Sequence, residues 1–303
     1  MSSTTQHVVT PIHPHTLSAT EAYVRLQRPA NLVTAAADVI TGCAVVGALH
    51  SSALGWRIAA GVALYAGGVV LNDYFDRRLD SIERPERPIP SGAVSASSAA
   101  ALGFALLAAG VGMATAASVT TGLLAAIIAV LVVGYDVVLK HNHLGPVAMG
   151  ACRALNLTMG LAAAPLLWRN LWWLALLPLV YIAGFTLLSR GEVLGGSRRV
   201  SGAALAVFGG VVGALLALNA GPGRLLSVSP FVALLVIRVL PPLGRAYQHP
   251  EAAMIRAAVR VGIVSLVILD ASLAAGYAGV MIGVGVLALG AVAMCLSRMF
   301  AVT

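Results

Sequence analysis

Apolar residues run along this chain in long stretches, without the alternation of a half-buried strand and with only short polar gaps between them. Ten such segments follow one another: 30–50, 54–75, 97–117, 119–138, 146–167, 170–189, 201–219, 225–241, 255–275 and 277–297. Asp, Glu, Lys and Arg are all missing from Pro88 to Tyr135, a window of 48 residues, from Val200 to Gly223 and from Ala271 to Ser297. A helix crosses a bilayer in about 20 residues at about 1.5 Å each, so the first window alone holds two crossings. A membrane β-barrel would show short segments of alternating polarity, which these runs lack. The pattern predicts an all-α polytopic bundle of nine to ten transmembrane helices, the sixth to eighth segments being open to tilt or re-entry.

The gaps differ in charge. Arg25 and Arg28 precede the first segment; Arg77, Arg78, Arg84 and Arg87 follow the second; Lys140 and two His follow the fourth; Arg190, Arg198 and Arg199 follow the sixth. Arg238, Arg245, Arg256 and Arg260 surround the gap after the eighth, while the alternate gaps hold only Arg57, Arg169 and Arg224 or nothing. Lys and Arg collect on the cytoplasmic side, which puts the N-terminus and the loops 76–96, 139–146, 190–200 and 242–254 there. Chemistry is therefore expected to face the cytoplasm from an inner-membrane protein. Trp172 and Trp173, beside Arg169 and Asn170, read as an interfacial belt on the other face.

Composition sharpens this reading. Of 303 residues 59% are hydrophobic and 10% charged, against about 45–50% and about 25% for a soluble domain. A cytosolic globular protein, a disordered chain and a nucleic-acid binder are thereby excluded. The net charge of +8 is read as membrane topology. Residues 1–20 are polar and predicted to be a flexible tail, with His7, His13 and His15 beside two prolines and no signal-peptide pattern. Cys43, Cys152 and Cys295 are odd in number and far apart, so they are expected as small core residues.

Three of the six aspartates sit in one string, Leu71-Asn72-Asp73-Tyr74-Phe75-Asp76-Arg77-Arg78-Leu79-Asp80. On a helix Asn72, Asp76 and Asp80 recur every four residues, with Asp73 three before Asp76, so all four share a face and Arg77 and Arg78 point elsewhere. Ionisable residues at the end of a span are costly and usually functional. Hard oxygen donors without His or Cys favour Mg²⁺, which binds a few carboxylates together with phosphate oxygens. The other reading is a solvated helix end whose acids pair with Arg77, Arg78 or Arg84. Downstream, Arg84-Pro85-Glu86-Arg87-Pro88-Ile89-Pro90-Ser91-Gly92 uses three prolines to hold Arg84 and Arg87 near that face. Arginine suits bidentate phosphate binding. Acids for Mg²⁺, arginines for phosphate and a membrane location together point to a lipid diphosphate.

At these residues the chain resembles the UbiA superfamily of intramembrane prenyltransferases. Asn72 to Asp80 matches its NDxxDxxxD motif and Arg87-Pro88-Ile89-Pro90-Ser91-Gly92 its RPxxxG loop. Arg28-Pro29-Ala30-Asn31, and Tyr135 with Lys140 before Leu144-Gly145, resemble further landmarks. It looks most like the UbiA-like EboC group, because the sixth segment ends in Thr186-Leu187-Leu188-Ser189-Arg190-Gly191-Glu192-Val193-Leu194-Gly195-Gly196. Typical members place a second motif, DxxxD, there to hold a second Mg²⁺. No Asp lies between Asp136 and Asp270 here, and Glu192 is the acid nearest that position. Either Glu192 holds a second metal weakly, or Arg190 supplies the positive charge directly, the reading favoured here; an Arg190–Glu192 contact is the bland option.

The resemblance implies a UbiA-like domain over 21–303 that ionises an allylic diphosphate and hands the prenyl cation to an acceptor. It puts Asn72, Asp73, Asp76 and Asp80 on Mg²⁺, Arg84, Arg87 and Lys140 on the diphosphate with Tyr135 nearby, and Arg190 and Glu192 at the altered second site. Asn31 is among the substrate-binding residues, and Asp38 would line the acceptor pocket; for Asp38 and Asp136 a merely satisfied buried acid is the competing reading. Asp270 is given no role. The expected partners are a prenyl diphosphate, an aromatic or polar cyclitol- or sugar-like acceptor, and lipid, with no nucleic acid. Two rivals stand beside this. A terpene cyclase would need an aromatic-lined cavity drawn from Tyr65, Tyr74, Phe75, Tyr135, Tyr181 and Phe185. A non-catalytic lipid-binding or transport protein would explain the missing motif. A simple permease is disfavoured because no span reads as a broken pair of half-helices.

Overall fold

In this computed structural model, residues 18–193 and 195–299 are described; among them the chain forms thirteen α-helices, two short 3₁₀ turns and no strand. His7, His13, His15, most of the expected tail and Leu194 lie outside the described residues. Ser18 accepts from the Glu21 amide at 3.2 Å and starts α1 (Ala19–Leu26), so a helix begins within the span 1–20. The remaining helices are α2 (Pro29–Val45), α3 (Leu54–Glu83), α4 (Ala96–Ala117), α5 (Val119–Val137), α6 (Gly145–Leu161), α7 (Pro165–Leu171) and α8 (Leu176–Ser189). After them come α9 (Arg198–Leu218), α10 (Pro222–Gln248), α11 (Ala252–Val264), α12 (Leu266–Ala278) and α13 (Val280–Met299).

Among the described residues seven stretches are long and apolar enough to cross a membrane, with α7–α8 and α11–α12 each counted as one, and α2 and part of α13 are shorter apolar helices. With α6 they reproduce the ten expected segments, and the chain is an integral multi-pass membrane protein. Both joined spans are interrupted, however. A 3₁₀ turn at Trp172–Ala175 separates α7 from α8, and Ser265 separates α11 from α12. The sixth segment, open to tilt or re-entry from its sequence, and the ninth, expected as one span, each carry a break. At the second break the buried Tyr181 hydroxyl donates to the Gly262 carbonyl at 2.8 Å, supplying a bond at the helix interruption. Trp173 lies within the first break, its indole nitrogen donating to the Asn170 carbonyl at 2.7 Å.

A second difference bears on the site. The second apolar segment ends near residue 75, yet α3 continues for another two turns, through the whole acidic string to Glu83. The loop that follows is correspondingly short and folds on itself: the Ser91 amide donates to the Arg87 carbonyl at 2.9 Å and the Val94 amide to the Pro88 carbonyl at 2.9 Å. Ile89 and Val94 are buried with Ala22 and Leu26 of α1 and Val70 of α3. Burial of these apolar groups under α1 pins the loop across the end of α3.

Helix α2 touches α3, α6, α12 and α13, and α6 touches α2, α5 and α8, so these two form the centre of the bundle. Their approach is backbone on backbone. A Cβ on Gly42 would lie 2.2 Å from the Leu157 carbonyl oxygen, and one on Gly160 would lie 2.3 Å from that of Val39. Small residues let membrane helices pack this closely, where dispersion rather than hydrophobicity drives association. Of the cysteines, Cys43 is buried beside this crossing, whereas Cys152 is half-buried and Cys295 is exposed on α13. Replacing Gly160 with Ala forces the crossing apart and is expected to cost about 1–3 kcal/mol, the usual penalty of overpacking. A lowered thermal unfolding midpoint in detergent checks this; an unchanged midpoint refutes the close-contact account.

Candidate active site

Helix α3 carries the acids at its C-terminal end, and three cations reach them from elsewhere in the chain. Arg28 precedes α2 with φ of 49°, in the left-handed region that side chains rarely adopt. That turn aims its guanidinium at Asp73, with Nη2 donating to Oδ1 at 2.6 Å. Arg87 comes back from the proline-rich loop, and its Nη1 donates to Asp73 Oδ1 at 3.2 Å and to Asp80 Oδ2 at 2.7 Å. Lys140 follows α5 in a 3₁₀ turn; its Nζ donates to Asp76 Oδ1 at 2.5 Å and lies 3.8 Å from Asp136 Oδ1. The Asn72 amide donates to Asp76 Oδ2 at 3.2 Å and to Asp136 Oδ1 at 2.8 Å.

The acids thus divide in two. Asp73 and Asp80 are gathered on Arg87, and Asp76 and Asp136 on Lys140 and Asn72. The alternative pairing with Arg77, Arg78 or Arg84 is absent from the ion pairs among the described residues: the Arg77 guanidinium donates to the Tyr74 carbonyl at 2.8 Å and lies over the Tyr74 ring, and Arg78 is exposed. Arg87, expected to face a diphosphate, is instead buried and committed to two carboxylates. Buried charges need such partners, since leaving one unpaired costs far more than the pair gains.

A cavity of about 250 Å³ lies beneath this cluster. Arg28, Asn31, Asn72, Tyr135, Asp136 and Ser189 wall its charged end, and Leu64, Val69, Ile128 and Val132 are among its apolar walls. Of the aromatic residues a cyclase would need, Tyr65, Tyr135 and Phe185 reach it. Asp38 does not. Expected to line an acceptor pocket, it is fully buried behind the cavity, where its Oδ2 accepts from Arg153 Nη1 at 2.8 Å and Asn156 Nδ2 at 2.9 Å.

The end of α8 packs on α11. Arg84 terminates α3, and Glu192 lies within electrostatic range of it and of Arg256 and Arg260 on α11. Arg190 is exposed and donates to the Asn142 carbonyl, and Arg256 Nη1 donates to the Glu192 carbonyl at 2.7 Å. No Arg190–Glu192 ion pair is formed among the described residues. Burial pushes the Glu192 carboxyl above the ordinary 4.5, outweighing the opposite pull of Arg84, Arg256 and Arg260.

Sequence reasoning overlooked Arg153 and Asn156 on the cavity wall, and it left Arg256 and Arg260 as topology markers. A signal for Arg153 existed: it is the lone charged residue between Lys140 and Arg169, in an apolar segment, as Asp38 and Asp270 are in theirs. Asp136 stands four residues before Lys140, the spacing of a helical ion pair.

Two outcomes follow from this geometry. Arg87→Met strips the buried carboxylates of their shared cation and is expected to lower stability by about 3–5 kcal/mol, read as the thermal midpoint in detergent; a midpoint unchanged from wild type overturns the pairing. Glu192 holds its proton more tightly folded than unfolded, so its penalty is fully present above the raised pKa and fades as the pH falls towards the ordinary 4.5. Glu192→Gln should therefore raise the midpoint near neutral pH, with the gain shrinking on acidification; a gain that grows instead contradicts the sign.

A digeranylgeranylglyceryl phosphate synthase of Ignicoccus hospitalis is 42% identical over 141 residues, 46% of this chain and 46% of that protein. The one from Methanopyrus kandleri is 38% identical over 153 residues, 48% of this chain and 56% of that protein. The chain thus matches about half the length of these relatives. A solved structure of a UbiA homologue from Aeropyrum pernix shares the fold with a TM-score of 0.65 at 18% identity, covering 80% of this chain and 96% of that one. A structure described as digeranylgeranylglyceryl phosphate synthase gives a TM-score of 0.62 at 18% identity over 86% of this chain and 99% of that one. The profile of the UbiA prenyltransferase family matches residues 32–244, well over half of the sequence, and the chain belongs to that family.

Proposed function

We propose that this protein transfers a prenyl group from an isoprenoid diphosphate to a small acceptor, in a Mg²⁺-dependent reaction at the cytoplasmic side of the inner membrane. One observation carries the reading: a single cavity has Arg28, Asn72 and Asp136 of the acid–cation cluster at one end and hydrocarbon walls below them. That is the division an amphiphile with a charged head and an isoprenoid tail requires. The names of the curated relatives make geranylgeranyl diphosphate the first donor to try.

The donor set suits Mg²⁺. Asn72, Asp73, Asp76, Asp80 and Asp136 offer carboxylate and amide oxygens of the hard type that ion prefers. Among the described residues no three acidic, His or Cys side chains are grouped closely enough to hold one ion. The positions between the carboxylates are taken by the protein's own cations, Lys140 between Asp76 and Asp136 and Arg87 between Asp73 and Asp80. Asn72, Asp73, Asp76 and Asp80 would hold Mg²⁺, with Asp136 joining them. Bound there, the ion supplies Lewis-acid stabilisation of the leaving diphosphate.

The chain's own residues do the rest. Arg28 and Lys140 shift from carboxylates to phosphate oxygens as the diphosphate arrives, and Arg84 adds a third cation. Arg87 stays on Asp73 and Asp80 and keeps them in register. At the altered second site, Arg190 contributes positive charge, with Arg256 and Arg260 around Glu192 adding to it, in place of a second metal. Preorganised charge of this kind acts on the negative charge that develops as the C–O bond breaks. The allylic cation is then captured by the acceptor, aromatic or polar and cyclitol- or sugar-like, with Tyr135 and Asn31 on the adjacent wall.

Purified protein in nanodiscs, given Mg²⁺, labelled geranylgeranyl diphosphate and a panel of acceptors, tests this directly. Prenylated acceptor is expected, and Asp76→Asn should lower kcat by about 10²-fold or more, with chelation of Mg²⁺ abolishing turnover. Hydrocarbon formed without acceptor would establish a cyclase instead. Donor binding without any turnover would establish a lipid-binding or transport protein.

A further inference from the structure

The cavity wall carries a second polar group that the transfer chemistry above does not use. Arg153 and Asn156 of α6 and Tyr65 of α3 belong to the wall, while Asp38, Thr34 and Asp270 stand behind them. The Arg153 guanidinium lies over the Tyr65 ring, 4.6 Å from its centroid, and donates to Asp38 and Thr34. Asp38 Oδ2 also takes the Asn156 amide, so one carboxylate oxygen fixes both wall residues. Asp270, from α12, faces Asp38 and shares a side-chain hydrogen bond with it. Arg153 and Asn156 are each 5% exposed, and Asp38 and Asp270 are at 0%.

An ionisable group this deep is expensive, and a simple clamp between α2 and α6 gains nothing from turning a guanidinium towards a cavity. Tyr65 precedes Asn72 by seven residues, which places this wall about 10 Å below the acidic cluster. A prenyl tail has no group for Arg153 or Asn156 to bond, and lying against them would strip their remaining donors of water. The wall therefore belongs to the other substrate. Its charge narrows the chemistry further. Two carboxyls face one guanidinium, and with either of them ionised, as Asp38 is in its ion pair with Arg153, the group carries no surplus of positive charge to draw an anion.

On the transferase reading, we propose that Arg153, Asn156 and Tyr65 recognise an uncharged, oxygen-bearing acceptor, with Asp38 as the positioning residue that holds Arg153 and Asn156. Phosphate is handled at the charged end, and hydroxyl or carbonyl oxygens here. A hydrogen-bonding wall rejects an analogue lacking the matching oxygen much more strongly than an apolar wall rejects a poor fit.

The test uses the full chain in nanodiscs with Mg²⁺ and geranylgeranyl diphosphate, and three acceptor probes: myo-inositol, myo-inositol monophosphate and 4-hydroxybenzoate. Donor binding and acceptor-independent release of diphosphate are followed separately from transfer. Wild type is expected to favour the uncharged polyol over its phosphate by about tenfold or more, and Arg153→Gln to raise the polyol KM by a similar factor. Donor affinity should stay within about twofold, and Arg153→Lys should recover part of the loss. Asp38→Asn should raise the same KM without changing which probe is preferred. Preference for the phosphorylated or the aromatic probe, or a polyol KM unmoved by Arg153→Gln, overturns the proposal. So does loss of donor binding together with acceptor binding in both Arg153 variants, which would make the cluster a structural clamp. Failure of the wild type to bind or ionise the donor sinks the transferase reading itself, and is seen before any acceptor is added.

Discussion

Negative charge at the end of a membrane helix has to be answered, and the structure is organised around that requirement. Three aspartates within eight residues of α3, joined by Asp136 of α5, would repel one another and end the helix early. Instead α3 runs on to Glu83, because cations come from three separated parts of the chain: Arg28 before α2, Arg87 in the loop after α3, and Lys140 after α5. Each is delivered by a local device. Arg28 uses a left-handed backbone turn, Arg87 a loop pinned beneath α1, and Lys140 a 3₁₀ turn directly after its helix. The connections at this end are fixed by ion pairing as much as by apolar packing.

Much of this was legible in the residues alone. The ten apolar segments correspond to the observed helices and joined spans, because charge-free windows have no alternative to the bilayer core. That Arg77 points away from the acids followed from helical spacing. Partners of the acids were harder. Arg28 lies 45 residues from Asp73 and Lys140 lies 64 from Asp76, and periodicity within one helix carries no information about contacts across the bundle. The same limit hid the two breaks. Ser265 interrupts a run that is apolar on both sides, and its consequence is visible only where Tyr181 takes the Gly262 carbonyl. The division of the acids into two groups depends on which side chains arrive from elsewhere, so a shared helical face was not enough to foresee it.

Close packing and buried polarity meet on α6. Gly160 brings its backbone against α2 near Val39, and one and two turns earlier Asn156 and Arg153 meet Asp38 on the same neighbour. A membrane interface made of glycine contact alone has little to set its register, because lipid tails are as apolar as the side chains they replace. The Asp38–Arg153 pair adds a directional contact that is satisfied in one alignment. Sliding α6 by a turn would leave both charges unpaired in hydrocarbon, at a cost no repacking there recovers.

Placing an ion pair on the cavity wall gives that register a second consequence. The charged end of the cavity has cations that change partners easily, since Arg28 lines it and Lys140 stands behind the lining Asp136, both partly exposed. The guanidinium of Arg153 is enclosed by Asp38, Thr34 and the Tyr65 ring and has no such freedom. A head group carrying several negative charges needs the first kind of site, because its binding must be reversible and its charge grows during the reaction. A ligand recognised by shape and hydrogen bonds needs the second, since preorganised donors lose little entropy on binding. One cavity therefore presents an exchangeable ionic end and a fixed, charge-balanced wall, an asymmetry suited to holding two unlike molecules at once in a defined order of depth.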